Sequence, residues 1–292
     1  RERGTTLAAF RIAVGTVIVA TLLSAWQSDV VSLLWIDRAH GGMLEAPDTY
    51  WLLELCGGTR PAVVWTFFAA ALATGIAMVA GIGGRWTILA AGLLYRSLST
   101  VGNISGGYDL MIANAVWLLF LGQATATLSL DCYLRERRWI SERLISAWPR
   151  RFAIGQLVLV YTATGLQKTS SSWSADEGYS AMYLFLQEPT WTRFDMTWLA
   201  DVYPLTQIAT FTVWYFEALA PLLLVVLYLR LTRDRGGRLR RASNRFDLRK
   251  PWAVYGLGMH LGIAALMNMG PFSWISMSYY LCLLTPDELE RW

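Results

Sequence analysis

The sequence predicts an all-α integral membrane protein: a polytopic bundle of about eight transmembrane helices, with two polar outer segments placed to form a common cap. Three observations predict it. Of 292 residues, 55% are hydrophobic and 16% charged, with a mean hydropathy of +0.37; soluble domains carry roughly 25% charge. Fifteen Trp and thirteen Tyr suit the aromatic belts that polytopic proteins place at both membrane interfaces. Apolar runs near bilayer-crossing length recur along the whole chain, separated by polar or glycine-rich turns.

Taken in order, the spans belong to a single domain over 1–292. The first, 7–26, has the length that crosses about 30 Å of hydrocarbon. It lacks a clean A-x-A cleavage site and reads as a retained helix. Residues 27–60 carry Asp29, Asp37, Glu45, Asp48 and Glu54 among two Gly pairs and Pro47, an irregular loop holding a short interfacial helix over 30–36. The second span, 61–82, opens on Pro61, where a helix tolerates proline. A Gly-Ile-Gly-Gly-Arg turn leads to a short third, 86–101, containing Arg96. A Gly-rich loop, 102–108, precedes the fourth, 109–130. The fifth is 152–168, the sixth 205–229, the seventh 252–270 and the eighth 272–284. No internal repeat is visible.

The basic residues orient these spans. Three lie near the N-terminus, one at Arg85, six in 131–151, nine in 230–251 and one at Arg291, which makes 20 of the 25. The positive-inside rule then puts both termini in the cytoplasm and 27–60 and 168–204 outside, in a multi-pass plasma-membrane protein. The run 230–250 reads as an anchor against anionic membrane lipid, not as a nucleic-acid site. Cys56, Cys132 and Cys282 lie in separate segments without CxxC spacing, so neither a disulfide framework nor a bound metal is expected.

Ionisable residues within the spans single out a site. Lys168 and Lys250 are the two lysines beside 23 arginines. Lysine, unlike arginine, can give up its proton when desolvated and act as a base. A lysine at a span end also commonly snorkels to the headgroups, which is the plainer reading. Glu217, about 18 Å along the sixth span from Leu205, and His260 in the seventh read as residents of mid-depth. A carboxylate there needs a partner, with His260 and Arg96 the candidates, and the two readings are a helix staple or the floor of a cavity. Pro221, four residues on, predicts a kink and a freed Glu217 carbonyl. Tyr161, Thr164 and Lys168, at i, i+3 and i+7, share a helical face that Gln156 and Gln167 make more polar, so this face should look into the bundle.

Several segments together resemble one family. They are LAAFRIAVGTVI from Leu7, NISGGYD from Asn103 to Asp109, and LSLD from Leu128. GLQK at 165–168 follows, with Trp173, EGYS at 177–180 and Tyr183-Leu184, and then HLGIAALMNMGPFSW from His260 to Trp274. In order and spacing they are similar to the horizontally transferred transmembrane (HTTM) family, which includes the membrane domain of vitamin K-dependent gamma-glutamyl carboxylase and bacterial relatives such as the SdpB-like proteins. The resemblance covers most of the chain but not the carboxylase's lumenal peptide-binding domain, and Ile104 stands where the carboxylase has His.

The resemblance implies a membrane enzyme at the outer face. Lys168 matches the lysine that deprotonates a reduced quinone such as vitamin K hydroquinone, while Glu217 and His260 match an acidic residue and a histidine of the carboxylase membrane domain. Asn103, Tyr161, Trp173 and Tyr179 are the implied cofactor-binding residues, and a small secreted peptide or small molecule the implied substrate. The SdpB-like members imply a second reading, a non-catalytic membrane partner for maturation, export or immunity of a secreted peptide. A transporter ranks below both, because no inverted repeat shows.

Overall fold

The computed structural model describes residues 1–45, 47–103 and 106–291. Among the described residues the regular structure is helical apart from one two-residue strand pair and isolated bridges. It divides into two compact units, residues 1–153 with 274–292, and residues 154–273. A helix occupies every apolar segment that the sequence marks. These are α1 (Thr5–Gln27), α2 (Pro61–Ala80), α3 (Gly84–Ser99), α4 (Gly107–Leu121), α5 (Trp148–Gln167), α6 (Tyr203–Ala218) and α7 (Pro221–Leu231). They continue with α9 (Arg249–Leu266) and α10 (Phe272–Tyr280), and the basic segment between α7 and α9 adds a helix the sequence did not mark, α8 (Arg238–Phe246).

By length and composition, α1 and α2 suffice to cross a membrane. A third crossing is added if Thr197–Ala218 and Pro221–Leu231, bent by 55° at their junction, form one broken span. That is fewer than the eight expected, and the reasons are physical. α3 and α4 have 16 and 15 residues, about 22–24 Å of helix. α5 carries Arg150 and Arg151 in its first turn, α9 opens on Arg249 and Lys250, and α10 has only nine residues.

In the first unit α1 packs on α2, α2 on α3 and α3 on α4. Leu7, Phe10, Val14 and Ile18 recur at three- and four-residue spacing on one face of α1 and are buried, with Phe10 edge-on to Tyr279 at 5.0 Å. The fourth span, expected over 109–130, ends as helix at Leu121. Residues 122–129 instead turn back over the fully buried Arg11. Its guanidinium donates to the carbonyls of Leu128 (2.6 Å), Ala124 and Val79 (both 3.4 Å). Gly81 leaves room for that guanidinium: a Cβ there would stand 2.3 Å from Nη1. Asp131 accepts from the amides of Gly83 and Gly84 and so caps the start of α3.

The ends of the chain meet in this unit. Glu2–Arg3 pairs antiparallel with Leu144–Ile145, Arg150 binds Glu2 at 2.7 Å, and Arg3 and Thr5 both bind Glu290. The loop 27–60 holds the short helix Val30–Leu34, close to the expected 30–36, and a compact turn around Asp37. Asp37 accepts from Nδ1 and the amide of His40 and from the Thr59 hydroxyl. The His40 bond, aided by Thr59, holds its carboxyl below the usual range.

In the second unit the segment 168–204, expected to lie outside, is built of short turns, a helix at Ala181–Gln187 and a turn at Thr197–Val202. Leu186, Met196, Leu199 and Met267 form its core. The segment closes the C-terminal end of α9, where carbonyls lack helical partners. Arg193 donates from Nε to Ala264 and Met267 and from its amide to Leu266. The seventh span therefore ends at Leu266 and not at 270. Outer carboxylates are held below their usual values by local hydrogen bonds, Glu188 by the side chain and amide of Thr190, and Asp195 by Thr197.

The break between α6 and α7 follows from Pro221, whose ring cannot continue the helical ladder. The expected free carbonyl at Glu217 is not free: it accepts from the Ala220 amide at 3.1 Å, tightening the last turn of α6.

Candidate functional site

The site is built where the end of α5 meets the end of α6. Gly165 permits the meeting, because a Cβ there would stand 2.5 Å from the Ala218 nitrogen and 2.8 Å from the Glu217 carbonyl carbon. Backbone atoms cannot swing aside, so only glycine allows this approach. The Trp214 indole N–H fixes the register by donating to the Gly165 carbonyl at 3.2 Å. Three residues on, just past the last turn of α5, Lys168 donates through Nζ to Glu217 Oε2. Both side chains are largely buried, 17% and 11% exposed.

The outer segment supplies the roof. Ser170 opens a tight turn, its hydroxyl accepting from the Ser172 amide, and the turn brings Trp173 over the ammonium. The ring centroid lies 4.9 Å from Nζ, within cation–π range, and Trp173 is itself buried. Lys168 thus sits between a carboxylate and an indole face, and does not reach outward as a headgroup anchor would.

A second polar pair lies deeper along α5. The Tyr161 hydroxyl and His260 Nε2 are 2.6 Å apart, both side chains buried. Tyr161 precedes Lys168 by seven residues, about 10 Å of helix. Glu217 and His260 are therefore at different depths, and each takes its partner from α5. The expectation that they share one level with His260 partnering Glu217 is corrected accordingly. Aromatic rings flank Tyr161: Phe216 is 5.3 Å from it and stacks on Trp252 at 4.7 Å.

Of the residues marked in the sequence, the structure brings together Lys168, Glu217 and Trp173, and separately Tyr161 and His260. Tyr179, at a positive φ of 55°, packs edge-on to Phe211 at 5.4 Å. Asn103 closes a turn of the first unit, and its side chain, like Ile104, lies outside the described residues. On α5, Tyr161 is buried and Thr164 half-buried with its hydroxyl bonded to carbonyls of its own helix, whereas Gln167 is exposed. Gly165 and Phe216 were missed as site residues. The signal for Gly165 was its place one turn before Lys168, and that for Phe216 its adjacency to Glu217.

A helical fold with apolar helices of spanning length and a largely buried ion pair at the ends of α5 and α6 has the character of a membrane domain. The family model described as HTTM domain matches residues 2–235, and the chain belongs to that family. No curated protein and no solved structure matches the chain.

Proposed function

We propose that this HTTM-family protein is a carboxylase-like membrane enzyme whose acid–base centre is Lys168 with Glu217, acting at the outer face. The observation that carries the reading is the Lys168–Glu217 pair closed over by Trp173. A proton can pass from the ammonium to the carboxylate inside this pair, leaving a neutral amine beside a carboxylic acid. The amine then accepts a proton from a weakly acidic O–H presented to it, and the pair regains its charges when Glu217 releases its proton outward. Exclusion of water by the indole keeps that exchange local.

A reduced quinone of the vitamin K type would supply such an O–H and, with oxygen, the stronger base needed to activate a peptide glutamate or a small molecule. The residues suit it: Trp173 offers a flat ring face and Lys168 a single acid–base group. Tyr161 and His260 sit deeper as a hydrogen-bonded pair that would hold the inner end of such a ligand. Asn103 and Tyr179 remain assigned to it by family resemblance. Purified protein given vitamin K hydroquinone and oxygen should consume the hydroquinone above the uncatalysed rate. No turnover, with or without co-purifying peptide, would sink the reading and favour a non-catalytic partner of a secreted peptide.

The proposal includes a multi-pass topology with both termini cytoplasmic. The joining of Glu2, Arg3, Arg150 and Glu290 in one cluster supports a common side for these segments. In a variant lacking native cysteines, Ser171→Cys and Arg235→Cys, both exposed positions, should label from opposite sides of sealed vesicles. Ser243 is unsuitable for such labelling because it is buried. Labelling of both from one side would reject the topology.

A further inference from the structure

α8 carries a surface that the acid–base site does not use. Its sequence, RLRRASNRF, places three residue rows along one short helix. The first row docks it: Ser243 is buried, Arg240 donates from Nε to the Thr232 hydroxyl at 3.0 Å, and Asn244 donates to the Leu229 carbonyl at 3.2 Å. That face is fixed to the end of α7. The other two rows point away. Arg238, Arg241 and Arg245 fall at i, i+3 and i+7, and all are exposed. Beside them run Leu239, Ala242 and Phe246, with Leu239 77% and Phe246 66% exposed.

The nearby acid does not neutralise the arginine row. Asp247 binds Arg249 at 2.9 Å and Arg230 at 3.2 Å. Among the described residues, Arg238, Arg241 and Arg245 form no ion pair. Exposed Arg233 and Arg235 precede the helix, with Asp234 the acid between them.

We propose that this outward face of α8 is a binding surface for anionic phospholipid, with the helix lying in the interface of the membrane that holds the protein. Charge complementarity selects an anionic partner, and the apolar row selects a lipid. Leu239 and Phe246 beside three arginines match an interfacial helix, whose apolar row enters the acyl boundary while its cations meet phosphates. A nucleic acid would satisfy the arginines but leave both apolar side chains in water. The chain enters α8 from apolar α7 and leaves into apolar α9, which places it beside a bilayer. This inference requires the membrane-domain family and not the acid–base reading.

The test uses the full chain in nanodiscs of phosphatidylcholine alone or mixed with phosphatidylglycerol, read by hydrogen exchange of amides 238–246. The expected result is at least about tenfold slower exchange with phosphatidylglycerol, reversed by high salt. The triple variant Arg238→Gln, Arg241→Gln, Arg245→Gln should lose that difference while α5 and α9 exchange as in the parent, showing that the fold stands. Leu239→Ser with Phe246→Ser should weaken protection in both lipid mixtures. Equal protection in phosphatidylcholine alone, an unchanged triple variant, or equal protection by a DNA oligonucleotide would each overturn the proposal.

Discussion

Lys168→Arg should lose hydroquinone turnover as completely as Lys168→Ala, and the two variants should differ only in stability. Arginine keeps its proton under all working conditions and can still pair with Glu217, so it preserves the contact and removes the chemistry. General acid–base catalysis contributes on the order of 10² to 10⁴ in rate. A fall of at least about 100-fold in kcat is therefore expected for both, with KM little changed. Alanine additionally leaves the Glu217 carboxylate without its cation in a largely buried place, so its melting temperature should drop while that of the arginine variant holds. Arginine supporting near-normal turnover would mean that Lys168 is an ion-pair element and not a base.

The sequence made some of this legible, for reasons that particular residues explain. Lys168 stood out because lysine is rare beside arginine here, and Glu217 because a carboxylate inside an apolar run requires a partner. Both are composition signals, and both point to residues that the structure joins. Their pairing with each other was not legible. Counting 1.5 Å per residue along a straight sixth span put Glu217 at mid-depth, whereas the helix breaks by 55° just after it and leans its end on α5 at Gly165. Depth computed along one helix says nothing of where a neighbouring helix ends. Hydropathy likewise marked the longer apolar helices but missed the basic α8 and carried the fourth and seventh spans too far. Residues 122–129 carry no charge and so were read as continuing α4, and they leave the helix where Arg11 takes their carbonyls, a contact between residues more than a hundred positions apart. Residues 267–270 leave α9 because Arg193 closes its end from the outer segment. Long-range capping by arginine has no signature in a local window.

That role of Arg11 leads to the second large effect, on folding. Arg11→Met keeps the length and apolar stem of the side chain but removes every donor from the carbonyls of Val79, Ala124 and Leu128. Two arguments compete. A buried guanidinium with no acid in contact is costly to desolvate, so an apolar replacement can be neutral or stabilising where the remaining groups find partners. Here the remaining groups are carbonyls facing a side chain that is 0% exposed, where water has no approach. Each hydrogen bond to a charged group is worth about 1.5–3 kcal/mol, and a buried acceptor left unmade costs its desolvation as well. The loss of three outweighs the relief of burying one charge, and a net destabilisation of about 3 kcal/mol is expected. The turn 122–129 should loosen first, because Leu128 carries the 2.6 Å bond. Thermal melting in detergent should show Arg11→Met several degrees below the parent, with Arg85→Met, at an exposed position, unchanged. Hydrogen exchange should localise the loss to 122–129 and the end of α2. If Arg11→Met melts with the parent, the arginine is not what turns the chain out of α4, and the polar sequence of the turn must do so alone.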